Sequence, residues 1–118
     1  MSDSIVVYQQ DPVQRGLLVE IISAGTDQHI YDLGDFDELV DVISRQNFSL
    51  VFMELIPGDE DQLQWLGNQD DYVVGIINRK WEGSQLDPFL EAGLSDYIFK
   101  PYQPPRLKRI ISKLSNHF

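Results

Sequence analysis

No cysteine occurs in the 118 residues, and that absence removes disulfides, thiolate zinc sites, iron–sulfur clusters and cysteine nucleophiles together. Secretion loses its usual support as well, so the cytoplasm is the expected compartment. Cations are scarce: nine Lys and Arg stand against nineteen Asp and Glu, a net charge of −10. Such a balance opposes direct nucleic-acid binding and attraction to anionic membranes by the domain as a whole. Long apolar runs are missing too. The nearest approaches, around Leu50–Ile56 and Tyr72–Ile77, are strand-sized and far below the ~20 residues a bilayer crossing needs. Met1-Ser2-Asp3-Ser4 is acidic where a signal peptide is basic, and the apolar run after it is too short for a signal sequence. The two histidines, His29 and His117, are far apart and lack neighbouring ligand patterns, so no metal site is expected on them.

A chain of this length buries roughly two thirds of its unfolded surface on folding, which suits one domain over residues 1–118 with no linker, repeat or low-complexity tract. Charge within it is segregated. Residues 100–118 hold Lys100, Arg106, Lys108, Arg109 and Lys113 and no acid, whereas residues 1–99 hold four cations against all nineteen acids, leaving that body at −15. A basic surface on an acidic body follows.

Ser4–Tyr8 is a short β-branched run, and Asp11-Pro12 supplies a helix cap followed by proline at the first helical position. Val13, Leu17, Leu18, Ile21 and Ile22 then recur at helical spacing up to Gly25, which can close the helix in a left-handed conformation. A second strand is expected near Gln28–Tyr31. Asp35-Phe36-Asp37-Glu38 has capping-box spacing ahead of a short helix carrying Phe36, Leu39, Val40 and Ile43. Phe48–Glu54 is a nearly uninterrupted apolar run ending on a carboxylate, the pattern of a central parallel strand covered on both faces. Pro57-Gly58 marks a turn, and Asp59-Glu60-Asp61 opens a third helix through Leu63 and Leu66. Tyr72–Ile77 is a fourth strand; a helix with Leu86, Phe89 and Leu90 stops at Ala92-Gly93; Asp96–Phe99 is a fifth strand. The last helix begins near Pro104-Pro105, with Leu107, Ile110, Ile111 and Leu114 on its apolar stripe and Arg106, Lys108, Arg109 and Lys113 toward solvent or a partner. Trp65 and Trp81 are open to two readings, partner anchors or aromatics packed on their own helices.

Five strands alternating with five helices specify a three-layer α/β/α sandwich with a parallel sheet and right-handed crossovers. Ligands on such sheets sit beyond the carboxyl ends of the strands, here Tyr8–Asp11, Glu54–Gly58, Asn78–Lys80 and Lys100–Tyr102.

Glu91-Ala92-Gly93-Leu94-Ser95-Asp96-Tyr97-Ile98-Phe99-Lys100-Pro101-Tyr102 is similar to the Ala-Gly-Ala-x-x-Tyr-x-x-Lys-Pro-Phe signature of response-regulator receiver domains. The resemblance extends over essentially the whole chain. Val6–Pro12 resembles that family's first strand with its acidic pair and x-Pro, and Ser49–Gly58 resembles the strand ending in the phosphoacceptor aspartate. The resemblance implies a flavodoxin-like fold with strand order 2-1-3-4-5, and a role in bacterial two-component or phosphorelay signalling.

Residue by residue, the family's chemistry is largely absent. Gln9 and Gln10 stand where two acids would hold magnesium, and neutral amides attract a hard divalent cation weakly. Glu54 takes the acceptor position, its extra methylene displacing the carboxylate by ~1.5 Å, a shift nucleophilic geometry tolerates poorly. The family's proline usually follows the acceptor by four residues, whereas Pro57 follows Glu54 by three; anchoring on the proline would put Met53 in the acceptor place. Asn78 falls where a hydroxyl residue is expected. Lys100 and the switch aromatic Tyr97 are retained. The resemblance therefore implies a pseudo-receiver, with Glu54 and Lys100 held as an ion pair and no cofactor or metal.

The function expected is a phosphorylation-independent interaction module rather than an enzyme. It would meet a protein partner or a second copy through the face of the fourth helix, fifth strand and last helix, where Tyr97, Pro101, Arg106, Arg109 and Lys113 lie, and a longer chain could carry an output domain after it. Two alternatives are a phosphoaccepting response regulator with a non-standard pocket and a flavin or nucleotide binder of flavodoxin type. Gln9-Gln10-Asp11-Pro12 lacks the Gly, Ser and Thr residues that cradle phosphate and places a carboxylate there, which weighs against the second.

Overall fold

The computed structural model describes residues 4–115. Strands and helices alternate without exception: β1 (Ser4–Tyr8), α1 (Pro12–Ser23), β2 (Ile30–Leu33), α2 (Phe36–Arg45), β3 (Phe48–Glu54), α3 (Glu60–Gly67), β4 (Val73–Asn78), α4 (Gly83–Ala92), β5 (Asp96–Lys100) and α5 (Pro104–Ser115). All pairings are parallel, in the order β2-β1-β3-β4-β5.

The unbroken apolar character of β1, β3 and β4 comes from coverage on both faces. Alternate residues Val6, Tyr8, Val51, Met53, Val73 and Ile77 pack with Leu39 of α2, Trp65 and Leu66 of α3 and Phe89 of α4. Ile5, Val7, Leu50, Phe52, Val74 and Ile76 pack on the opposite side with Leu18 and Ile22 of α1 and Leu107, Ile110 and Ile111 of α5. Each such aliphatic or phenyl side chain, fully buried, contributes roughly 1.5–3 kcal/mol. Gly75 in β4 is dictated by this packing, because a Cβ there would lie 2.6 Å from Leu55 Cδ1 and 3.1 Å from Leu94 Cδ2.

Local signals set most boundaries. Asp11 caps α1, accepting from the backbone N–H groups of Val13 (2.9 Å) and Gln14 (3.3 Å) ahead of Pro12. Asp59 caps α3 through Gln62 N–H, and Gly93 ends α4 at φ 118°. Asp35 caps α2, but its carboxylate accepts from Asp37 N–H at 3.3 Å. The reciprocal side-chain contact from the third helical position back to the cap is seen instead at α4, where Glu82 N–H donates to Gln85 Oε1 at 2.8 Å.

Several expectations are corrected. The second strand is Ile30–Leu33, two residues later than its weak apolar signal suggests, because it is an edge strand registered on β1, with Ile30 opposite Ile5 and Leu33 opposite Tyr8. Gly25 is not left-handed; α1 ends at Ser23 with Ala24 still right-handed, and positive φ is confined to Gly58 and Gly93 among the described residues. Val13 and Leu17 are 71% and 47% exposed while Leu18 and Ile22 are fully buried. At ~100° per residue, Val13 lies roughly 140–180° around the helix from that pair, so the five apolar residues span more than one face. Val40 and Leu90 are likewise exposed. Trp65 is core, stacked edge-on against Phe36, and half-buried Trp81 packs on Phe89. His29 is exposed and meets the Tyr31 ring. His117 and the side chain of Leu114 lie outside the described residues.

Candidate functional site at the carboxyl ends of the strands

Parallel registration brings the ends of β1, β3 and β5 together. Because side chains alternate, Met53 faces the α2–α4 core and is fully buried, while Glu54, the last residue of β3, emerges at the strand end. It is therefore Glu54, not Met53, whose side chain occupies the mouth of the sheet. Its Oε2 lies 2.6 Å from Lys100 Nζ, and its Oε1 accepts the backbone N–H of Gln10 at 3.2 Å. The two side chains remain 19% (Glu54) and 28% (Lys100) exposed, so the pair is shielded from water without being cut off from it.

Gln9 is completely buried, its Oε1 accepting the Tyr102 hydroxyl at 2.6 Å and its Nε2 making no hydrogen bond. That contact ties the loop after β5 to the loop after β1. Burial pushes the Tyr102 phenol up to about 12, reinforced by the charges of Glu54 and Asp11. Tyr8 is also raised, by burial first and then by Glu54 and Asp35. Arg15 donates to the Gln9 carbonyl at 2.8 Å from α1. Gly34 leaves the room this guanidinium needs, since a Cβ there would collide with Arg15 Nη1.

The acidic-pair positions are thus one buried amide engaged in a side-chain bond and one exposed residue, Gln10, that contributes its backbone. A divalent cation entering here would meet one carboxylate already held by an ammonium, where hard cations take several oxygen ligands. Among the described residues no group of three or more His, Cys, Asp or Glu side chains is placed to hold a metal ion. Asn78, paired with Lys100 in register, is exposed and turns its Oδ1 to Lys80 N–H at 3.0 Å. The geometry joins Gln9, Gln10, Glu54 and Lys100 and leaves Asn78 in a local turn.

Two further residues shape the site and were not singled out from sequence. Gln62, fully buried, donates from Nε2 to the Glu54 carbonyl (2.9 Å) and accepts Ile56 N–H on Oε1 (2.9 Å), bracing the loop after β3. Its place three and four residues before Trp65 and Leu66 puts it on the inward face of α3, a legible but easily overlooked signal. Tyr102 is the other; as part of the Lys-Pro-aromatic motif it carried no hint of its partner 93 positions away.

On the neighbouring face, Tyr97 is half-buried beside Phe99 (ring centroids 5.7 Å apart, 83°), and Pro101 is exposed after a cis peptide bond from Lys100. Arg106 departs from expectation. It is half-buried, and its Nη2 meets Asp96 Oδ1 and the Tyr97 carbonyl, both at 2.9 Å, securing the edge strand rather than projecting to solvent. Arg109 and Lys113 are exposed as expected.

No family model and no curated protein matches the chain by sequence. Solved structures match it by shape. A response regulator from Thermotoga maritima superposes with a TM-score of 0.81 at 16% identity, over 98% of this chain and 99% of that one. A candidate pilus assembly protein from Burkholderia thailandensis gives 0.80 at 12%, over 97% and 98%. The receiver domain of a sensor histidine kinase from Pseudomonas aeruginosa, with a magnesium ion coordinated in its active-site cleft, gives 0.77 at 17%, over 98% and 99%. At these identities the likeness establishes the fold: this chain has the flavodoxin-like receiver fold, five parallel strands in the order 2-1-3-4-5 with five helices.

Proposed function

We propose that the chain is a pseudo-receiver, a signalling module that works without phosphorylation and without enzymatic activity of its own. The observation that carries this reading is the 2.6 Å pair between Glu54 and Lys100 beside a buried Gln9. A lysine that would answer an incoming phosphoryl group is already answered by the chain's own carboxylate, and the residue that would help recruit a metal is a neutral amide bonded to Tyr102. Both oxygens of Glu54 accept hydrogen bonds, which lowers its reach as a nucleophile. The phosphoaccepting alternative is therefore left with an acid whose two oxygens are both engaged, and the flavin alternative lacks a phosphate cradle in the loop after β1.

The output of such a module is association. The α4–β5–α5 flank suits it, with Leu90 of α4 and Phe99 of β5 exposed and Phe99 next to Arg106 of α5. A cytoplasmic setting belongs to the same proposal; among the described residues no helix is long and apolar enough to cross a membrane.

Incubation with a small-molecule phosphodonor and magnesium, followed by intact-mass measurement, tests the central claim. No mass increase is expected; a stoichiometric phosphoryl adduct on Glu54 would overturn it. For the association surface, Leu90→Ser with Phe99→Ser should weaken self-association in sedimentation or capture of a partner. Unchanged association in that variant removes this flank from consideration.

A further inference from the structure

A second concave site lies away from the Glu54 pocket, where the start of β5 and the residue preceding β4 face the flank of α5. Its volume is about 180 Å³, and it is lined by Tyr72, Asp96, Arg106, Arg109, Ile110 and Lys113. A single buried water requires only ~10–15 Å³, so the cleft has room for a small polyatomic ligand.

The charges around it are one-sided. Asp96 is the lone acid in the lining and is already matched by Arg106 at 2.9 Å. Both contacts of Arg106 run through Nη2, whereas a guanidinium carries five N–H donors, so donors remain for a ligand. Arg109 and Lys113 make no ion pair among the described residues, although residues 1–99 supply a large excess of acids. Arg106, Arg109 and Lys113 recur three and four residues apart on one face of α5, a spacing at which like charges repel. Three cations around a cleft, two of them without an ion pair among the described residues, in a protein of net charge −10, fit an anionic ligand better than a solvated helix face.

We propose that this cleft binds a small phosphate-type dianion, in the class of inorganic phosphate, pyrophosphate or a compact phosphomonoester. Arg109 and Lys113 supply the attracting charge, Arg106 offers a guanidinium held in place by Asp96, and Tyr72 offers a hydroxyl donor. Burial raises the Tyr72 phenol above its ordinary value, with Asp96 adding to the rise and Arg106 opposing it, so the hydroxyl keeps its proton at neutral pH. An extended polyanion such as nucleic acid would be repelled by the acidic body, whereas a compact anion meets three cations against the one lining carboxylate, Asp96, which Arg106 already holds. The inference stands whether or not Glu54 accepts phosphate, because the two sites share no residue.

The test is a two-dimensional amide NMR titration of the full chain with phosphate and then pyrophosphate, at constant ionic strength against sodium chloride. Saturable shifts are expected at Tyr72, Asp96, Arg109 and Lys113, with pyrophosphate at least threefold tighter than phosphate. Arg109→Gln with Lys113→Gln should weaken binding at least tenfold with an unchanged melting temperature, and Tyr72→Phe should weaken it a few-fold. Shifts that chloride reproduces, that persist in the double variant or that centre on Lys100 would each overturn the proposal. So would an acidic peptide that moves the same amides more tightly than pyrophosphate, since the cleft would then be a docking point for a protein segment.

Discussion

At the carboxyl ends of the strands Lys100 meets Glu54 at 2.6 Å and Tyr102 meets Gln9 at 2.6 Å, whereas along the flank of α5 Arg109 and Lys113 line a cleft whose one acid, Asp96, is held by Arg106, and make no ion pair among the described residues. Desolvation explains the contrast. Glu54 and Lys100 are largely withdrawn from water, where an unpaired charge is costly, so the fold supplies a partner to each. Arg109 and Lys113 keep their hydration and require none. A pocket whose charges are paired and an open cleft whose charges largely are not, among the described residues, therefore coexist in a domain whose relatives in shape include a magnesium-binding receiver.

Four perturbations bear on that contrast. The largest effect is expected from Gln62→Ala, which strands the Glu54 carbonyl and the Ile56 N–H beneath the closed pocket. Leaving two such groups unsatisfied should cost about 2–4 kcal/mol, read from urea denaturation. Lys100→Met comes next, at about 1–3 kcal/mol. That is less than for a fully buried pair because both side chains retain some water contact. Adding Glu54→Gln should recover much of the loss; no recovery would mean that the ion pair is not what Lys100 contributes.

Tyr102→Phe should cost about 1 kcal/mol at pH 7 through the lost hydrogen bond to Gln9. It should also change the alkaline limb. The folded phenol titrates at about 12 against an ordinary value of 10.0, so between these values the unfolded chain loses a proton that the folded chain retains, and stability falls as pH rises. The variant should show a shallower fall, not a flat one, because Tyr8 and Tyr72 are shifted in the same direction. Unfolding free energies at several pH values from 9 to 12 decide it.

The smallest effect belongs to the open site. Arg109→Gln with Lys113→Gln should stay within about 0.5 kcal/mol of the parent stability. A loss well above that would show these cations to be structural and erase the contrast. Arg106 is different: Arg106→Glu would set a new carboxylate against Asp96 and free the Tyr97 carbonyl, so charge reversal there confounds binding with folding.

The layered fold was legible because its signals are local. Continuous apolar runs at β3 and β4, the Asp11 and Asp59 caps and the Gly93 stop each act within a few residues. The apolar signal for β2 lies two residues before the strand because an edge strand is apolar on fewer positions and takes its register from β1. The buried arc of α1 is narrower than its apolar spacing suggests for a related reason: Val13 and Leu17 obey helical spacing, yet spacing alone does not say which arc the sheet covers.

At the site, residue types at Gln9, Gln10, Glu54 and Lys100 were readable from the motif spacing, as were the absent acids. The missing aspartate at the end of β3 and the basic character of the last helix follow from residue identity alone. Which side chain of Met53 and Glu54 reaches the pocket was decided by alternation within a strand whose end only the assembled sheet defines. The pairing of Gln9 with Tyr102, 93 residues apart, and the placing of Arg106 on Asp96 while Arg109 and Lys113 make no ion pair among the described residues, were likewise decided by tertiary structure. Hydrogen bonds and ion pairs act over a few ångströms, and distance between residues far apart in the chain exists only once the layers have packed.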